Sequence, residues 1–287
     1  MQTMSNISTT APSTVCLALG PYRNLTTLTA ATLFLHPNCQ VLNHARGRIY
    51  GNPEVDFISD YSAERFSRFI AFAIEISGGG ERGPHGGSIT LSHAFDEGYD
   101  MKHMFSETGQ GLIKKQIDCL FWKESLATSN RIRDYQVDLA KLVRKEPRLR
   151  FLMPIRNPMD CALSNLKTGH VRRFPGMIES PGPRDALSAI LKEFHWFEHW
   201  RSRLPQHFFL FYEHDMNRQM LENLAEFLRL SPDPDWLQRA QSVMVSKSGY
   251  THSDDFVDFY IQQIGAIFKD NPVMRDQLLK FARNYSA

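Results

Sequence analysis

Val15-Cys16-Leu17-Ala18-Leu19-Gly20-Pro21-Tyr22-Arg23-Asn24-Leu25-Thr26-Thr27-Leu28 contains, in order, an apolar run, a turn and the start of a helix. The run from Val15 to Leu19 suits a strand buried on both faces, as in a parallel sheet. Gly20 and Pro21 break the run, and Asn24 with Thr26 and Thr27 suits a helix start. A second stretch repeats the order. Phe151 to Ile155 is apolar, and Arg156-Asn157-Pro158-Met159-Asp160-Cys161-Ala162-Leu163-Ser164 turns into a helix. Each stretch brings an arginine and hydroxyls to its turn. Backbone N–H groups at a helix start, with a cation beside them, hold an anion without a metal. Two such turns on adjacent strand ends predict one ligand with two separated phosphate groups.

Working outward, strands are predicted at Thr14 to Leu19, Gln40 to Leu42, Cys119 to Trp122 ending in Lys123, Leu149 to Ile155 and Phe208 to Tyr212. Helices are predicted at about Thr26 to Leu35, Ser62 to Ile76, Ser129 to Val143, Met159 to Lys167 and Ala186 to Arg203. Further helix is predicted up to Leu228, over Trp236 to Val245, and over most of Asp254 to Arg283. Phe66, Phe69, Ile70, Phe72, Ala73 and Ile76 recur at helical spacing. Gly78 to Gly87 and Gly169 to Arg184 read as long loops. Strands alternating with helices imply an α/β fold of three layers, a central parallel sheet flanked by helices. Ligands of such sheets sit at the carboxyl ends of the strands, where Gly20, Lys123 and Arg156 fall. Residues 1–13 read as a flexible tail and residues 14–287 as a single domain.

Composition narrows the function classes. A net charge of +2 argues against bulk nucleic-acid binding. No stretch approaches the ~20 apolar residues of a membrane span. Met1 to Ser13 has no cationic start and no apolar core, so it does not read as a secretory signal. Cys16, Cys39, Cys119 and Cys161 show no paired spacing and read as reduced, which favours a cytoplasmic location. His195-Trp196-Phe197-Glu198-His199 fits His-x-x-Glu-His, a zinc pattern. Its aromatic neighbours Phe194 and Trp200 make packing on the sheet the stronger reading. On local grounds alone, the first turn also fits an ordinary helix cap beside a solvated Arg23. The second fits Arg156 paired with Asp160. Gly-Lys-Ser/Thr is absent, so the first turn is not a Walker A loop.

Taken together, the two turns resemble the cofactor motifs of the sulfotransferase superfamily, which uses 3′-phosphoadenosine-5′-phosphosulfate (PAPS) and releases its desulfonated form, PAP. Many members carry Pro-Arg-Ser-Gly-Thr-Thr-Leu after the first strand. Arg23, Thr26, Thr27 and Leu28 stand in matching places, and Leu25 stands where the family has glycine. His36-Pro37 matches a downstream His-Pro. Arg156, Pro158, Asp160 and Ser164 match the second motif. Lys123 resembles the lysine of Lys-Thr-Pro, and Tyr212-Glu213 resembles a Tyr-Glu-Asp-Leu region. Ser246 to Tyr250 resembles a late cofactor loop. The likeness runs from about Val15 to Tyr250.

The resemblance implies a P-loop nucleotide-kinase-like fold and transfer of a sulfuryl group from PAPS to an acceptor hydroxyl on a glycan, lipid or small metabolite. It implies a cofactor site of Arg23, Asn24, Leu25, Thr26, Thr27, Leu28, Arg156, Ser164, Ser246, Lys247 and Tyr250. Arg23 and Lys123 would neutralise developing charge. Counting without gaps from His36-Pro37, the base position of tyrosylprotein sulfotransferases falls on His44, and Arg46 matches as well. Nearby cations would disfavour protonated His44. His93 and Glu124 are rival bases. Gly78 to Phe105 and Lys167 to Arg184 would cover the acceptor, and Arg172-Arg173 would lie near the second motif. Two other classes stay open: a non-catalytic nucleotide-binding relative, because of Leu25, and a kinase-like phosphotransferase.

Overall fold

A computed structural model of the chain describes residues 11–97, 100–245 and 250–283. In chain order the elements are β1 (Thr14–Ala18), α1 (Thr26–Phe34), β2 (Cys39–Asn43), α2 (Arg46–Ile49), α3 (Ala63–Ser77) and β3 (Gly87–Ser88). Next come α4 (Asp100–Glu107), β4 (Cys119–Lys123), α5 (Leu126–Asp134), α6 (Leu139–Lys145), β5 (Leu149–Ile155) and α7 (Pro158–Lys167). The chain continues through α8 (Pro183–Arg203), β6 (Phe208–Tyr212), α9 (Arg218–Phe227), α10 (Pro234–Val243), α11 (Asp254–Ile267) and α12 (Pro272–Arg283).

The strands form one six-stranded sheet in the order β3-β2-β4-β1-β5-β6. Every pair is parallel except β2 with β3. Side chains alternate across each strand, so each strand feeds two cores. Val15 and Leu17 join α3, α5, α7 and α8 on one face, where Phe69 packs on Trp122. Cys16 and Ala18 join α1, α9 and α10 on the other. The chain is thus a three-layer α/β protein. β1 lies between β4 and β5, so the segments leaving β2, β4, β1 and β5 meet above one edge.

The structure corrects several boundaries. β3 arises in the segment read as a loop and runs antiparallel at the sheet edge. Glycine allows it: a Cβ on Gly87, at φ +146, would lie 1.9 Å from the Gly79 carbonyl oxygen. The helix predicted over Ser129 to Val143 is two helices. Gln136 takes φ 48 between them, and the Asp138 carboxylate caps α6 by accepting from Lys141 N at 2.9 Å. Likewise Asn271 accepts from Met274 N at 3.0 Å and starts α12 as a separate helix. Helix α4 lacked a clear apolar period and went unpredicted. Among the described residues no helix is long and apolar enough to cross a membrane, and no group of three or more His, Cys, Asp or Glu could hold a metal ion. His195 instead packs against the Phe268 ring.

Candidate functional site

The turn after β1 is strained and open. Gly20 takes φ +86, a conformation that strains any other residue, and a Cβ there would lie 2.4 Å from Met153 Sδ. Arg23 and Leu25 both occupy the left-handed region, at φ 62 and 61. For an L-residue that costs about 1–2 kcal/mol. Leu25 therefore adopts the conformation for which glycine is the default. It stands at the N-cap of α1 but supplies no side-chain cap, and the first turn has no acidic residue. The leading amides of α1 have no protein acceptor among the described residues, and the positive end of the helix dipole faces outward.

The turn after β5 is regular. Asn157 Oδ1 accepts from Met159 N at 3.0 Å, Pro158 fills the first helical position, and Asp160 sits in the first turn. Asn157 N donates to Glu213 Oε2 at 2.7 Å. Asn157 caps the Met159 amide and Pro158 carries no N–H, so this turn relies more on side chains than the first. Arg156 Nη2 lies 3.7 Å from Asp160 Oδ2, whose other oxygen is 2.8 Å from His252 Nε2. The Arg156 guanidinium sits 6.0 Å from the centre of the Tyr250 ring.

The two turns are joined directly. Arg23 Nε donates to Ser164 Oγ at 3.0 Å across 141 residues of sequence. Buried Asn24 accepts from Arg156 N at 2.9 Å through Oδ1 and donates to the Pro154 carbonyl through Nδ2. The Asn24 side chain is the tie that sets one turn against the other, while Asn24 itself stays in the cavity wall. His36 is structural as well: its Nδ1 accepts from Asn38 N, and its ring packs edge-on to Trp236.

The ends of β4 and β2 complete the cluster. Lys123 is 6% exposed. Burial pushes its pKa down to about 8; Glu124 opposes that shift and Arg23 adds to it. Lys123 Nζ lies 3.1 Å from His44 Nε2, and His44 Nδ1 lies 3.7 Å from Glu124 Oε1. An ammonium can only donate, so beside charged Lys123 the ring nitrogen Nε2 accepts and the ring proton sits on Nδ1, facing Glu124. Glu124 is fully buried and held by Arg46, through Nη1 at 3.2 Å and the backbone N at 3.3 Å. His44 and Ala45 take φ 59 and 76, and Ser125 takes φ 60.

These strand ends enclose a cavity of about 430 Å³, within the usual range for small-molecule sites. Arg23 to Leu28, His44, Lys123 and Arg156 all line it, as the sequence predicted. His93 lines it too; burial first, then Arg23 and Lys123, holds its pKa below the ordinary histidine value. Glu124 stands behind His44, Ser164 behind Arg23, and Tyr250 beside Arg156, all outside the wall itself. Ser246 and Lys247 lie outside the described residues. Tyr22, Asn43, Arg82 and His170 join the wall unannounced by any motif. Asn43 Oδ1 is buried without a hydrogen-bond partner. No described wall residue is a carboxylate.

Fold and site together define a three-layer α/β protein with a cationic cavity over its strand ends, suited to a polyanion. No family model matches the sequence, and no curated protein is similar to it by sequence. Among solved structures the chain is similar to mouse sulfotransferase SULT7A1 complexed with PAP, at 11% identity over 97% of this chain and 91% of that one, TM-score 0.45. It is similar to a sulfotransferase from Alicyclobacillus acidocaldarius at 12% identity, over 91% of this chain and 96% of that one, TM-score 0.41. It is also similar to retinol dehydratase in complex with androsterone and inactive cofactor PAP, at 12% identity over 90% of this chain and 68% of that one, TM-score 0.33.

Proposed function

We propose that the chain transfers a sulfuryl group from PAPS to an acceptor hydroxyl and releases PAP. One observation carries the proposal. Two strand-end turns matching both sulfotransferase motifs converge, through Arg23, Ser164, Asn24 and Arg156, on one carboxylate-free cavity. The residues fit such a donor. The uncapped α1 amides, with Thr26 and Thr27, suit the 5′-phosphate, and Arg156 with Ser164 suits the 3′-phosphate.

In this reading His44 takes the acceptor proton on Nε2, displacing Lys123 from that nitrogen. Glu124 behind Nδ1 then faces an imidazolium and stabilises it. Lys123 turns to the oxygen left with charge on the departing phosphate, joined by Arg23. Lys123 ends β4 and Arg23 is held in the turn after β1 by its bond to Ser164, so little reorganisation is needed as charge develops. His93 is the second candidate base, since its surroundings favour the neutral ring.

Calorimetric titration with PAP, ATP and GTP tests the assignment. PAP is expected to bind most tightly and without magnesium. Preference for ATP with magnesium would instead support a phosphotransferase. PAP binding with no sulfate transfer in an acceptor screen would support a non-catalytic relative. His44→Ala is expected to abolish PAP release from PAPS in that screen while PAP affinity survives. Unchanged turnover would pass the base role to His93.

A further inference from the structure

Building on the sulfuryl-transfer reading, we propose that the acceptor is itself an anion. It carries a phosphate, sulfate or carboxylate beside its reacting hydroxyl, and Arg173 with Tyr22 holds that group.

The described cavity wall carries six basic side chains: Arg23, Arg46, Arg82, Arg156, Arg173 and Lys123. Three have a carboxylate partner, Arg46 with Glu124, Arg82 with Asp96 and Arg156 with Asp160. Arg23 and Lys123 are matched to the donor at the transferring end, as Arg156 is at the other. Arg173 is left over. It belongs to the short 3₁₀ turn His170–Arg173, which follows α7, and it has no carboxylate within ion-pair distance among the described residues.

The surroundings of Arg173 point its charge at the reacting end. Its guanidinium lies 5.6 Å from the centre of the Tyr22 ring. Arg46 Nη1 donates to the Tyr22 hydroxyl at 2.9 Å. Tyr22 is 8% exposed, and burial followed by the Glu124 charge raises its pKa, so it stays protonated. Arg46 donates to its oxygen, and its own proton has no acceptor among the described residues. A guanidinium and an unmatched O–H donor, side by side, suit the oxygens of an anion. His170 packs on Tyr22 at 5.0 Å between ring centres. Burial first, then Arg173, Arg23, His44 and Arg46, lowers the His170 pKa, and His170 and Arg173 line the same cavity as the candidate base His44. An acceptor hydroxyl at His44 therefore puts the rest of the acceptor within reach of Arg173. Asn130 Nδ2 fixes the turn by donating to the Arg173 carbonyl at 2.9 Å.

PAP-saturated protein titrated with inorganic phosphate by calorimetry tests the subsite. Phosphate is expected to bind the wild-type complex. Arg173→Gln should weaken that binding about tenfold or more, the loss of one charge-assisted hydrogen bond, and Arg173→Lys should retain most of it. Arg172→Gln removes the same charge one residue away, outside the wall, and should change phosphate affinity less than about twofold. Equal phosphate affinity in Arg173→Gln and wild type, or no phosphate binding to the PAP complex, overturns the subsite and leaves the nucleotide reading standing. Failure of PAP itself to bind overturns that reading and the subsite with it.

Discussion

The turn that follows β1 holds two non-glycine residues in the left-handed region and leaves the leading amides of α1 without acceptors. The turn that follows β5 holds none there, and Asn157 caps its helix. In sequence the two look alike, each an apolar run, an arginine and a helix start. Physically they do different work. An open helix end with a strained approach gains its missing partners only when an anion arrives. A capped end already has a partner and serves as a fixed post for Arg156 and Ser164. The strain extends beyond one loop. Of seven non-glycine residues with positive φ among the described residues, Arg23, Leu25, His44, Ala45 and Ser125 follow β1, β2 and β4. The side of the cavity assigned to sulfuryl transfer carries the backbone cost, and the side assigned to anchoring carries none.

The tie between the turns should show the largest effect. Asn24→Ala leaves the Arg156 amide and the Pro154 carbonyl unpaired in a buried place. It is expected to lower unfolding free energy by about 3 kcal/mol and to weaken PAP binding too. Chemical denaturation and calorimetry check both. Wild-type stability in this variant would mean that the two turns are set independently.

The pH response sharpens the contrast, because only the strained side carries a lysine poised near neutral pH. The Lys123 pKa of about 8 lies below the ordinary lysine value of 10.5. Between those values the unfolded chain keeps the proton and the folded chain has lost it, so this group makes stability rise with pH across that window. Anion binding has the opposite sign, since it needs the ammonium. PAP affinity should fall as pH rises through about 8, and Lys123→Met should flatten the fall. Lys114, also lowered to about 8 by burial, sustains part of the stability rise in that variant. A PAP affinity independent of pH between 7 and 9.5 would remove Lys123 from the donor site.

The smallest effect probes the two helix starts. Leu25→Gly trades left-handed strain of about 1–2 kcal/mol for glycine's entropy cost of about 0.5–1 kcal/mol, so stability should rise by about 0.5 kcal/mol. Asn157→Ala should lower stability by about 1 kcal/mol through loss of its cap, with PAP affinity little changed. Equal losses in the two variants would erase the distinction between the turns.

Much of the fold was legible because its signals are local. The apolar runs at Val15, Cys119 and Leu149 each became a buried strand and that at Phe208 a half-buried edge strand, and Pro158 and Ser62 marked true helix starts. Strand β3 was not legible, because it depends on two glycine-rich backbones meeting rather than on any apolar period. In the site, Arg23, Thr26, Lys123 and Arg156 were found through motif spacing. Arg82 and His170 fall in the segments expected to cover the acceptor, but neither they nor Tyr22 were singled out, since no motif spacing marks them.

The sequence by itself determined the order of strand, turn and helix, and with it which residues stand at strand ends. Backbone hydrogen bonding and side-chain periodicity act over a few residues, so the chain states them locally. Only the tertiary structure decided that Asn24 ties two turns together, that the second helix end is already capped, and that Arg173 reaches Tyr22 while Lys123 reaches His44. Those contacts depend on the order β2-β4-β1-β5, which brings segments distant in sequence above one edge of the sheet.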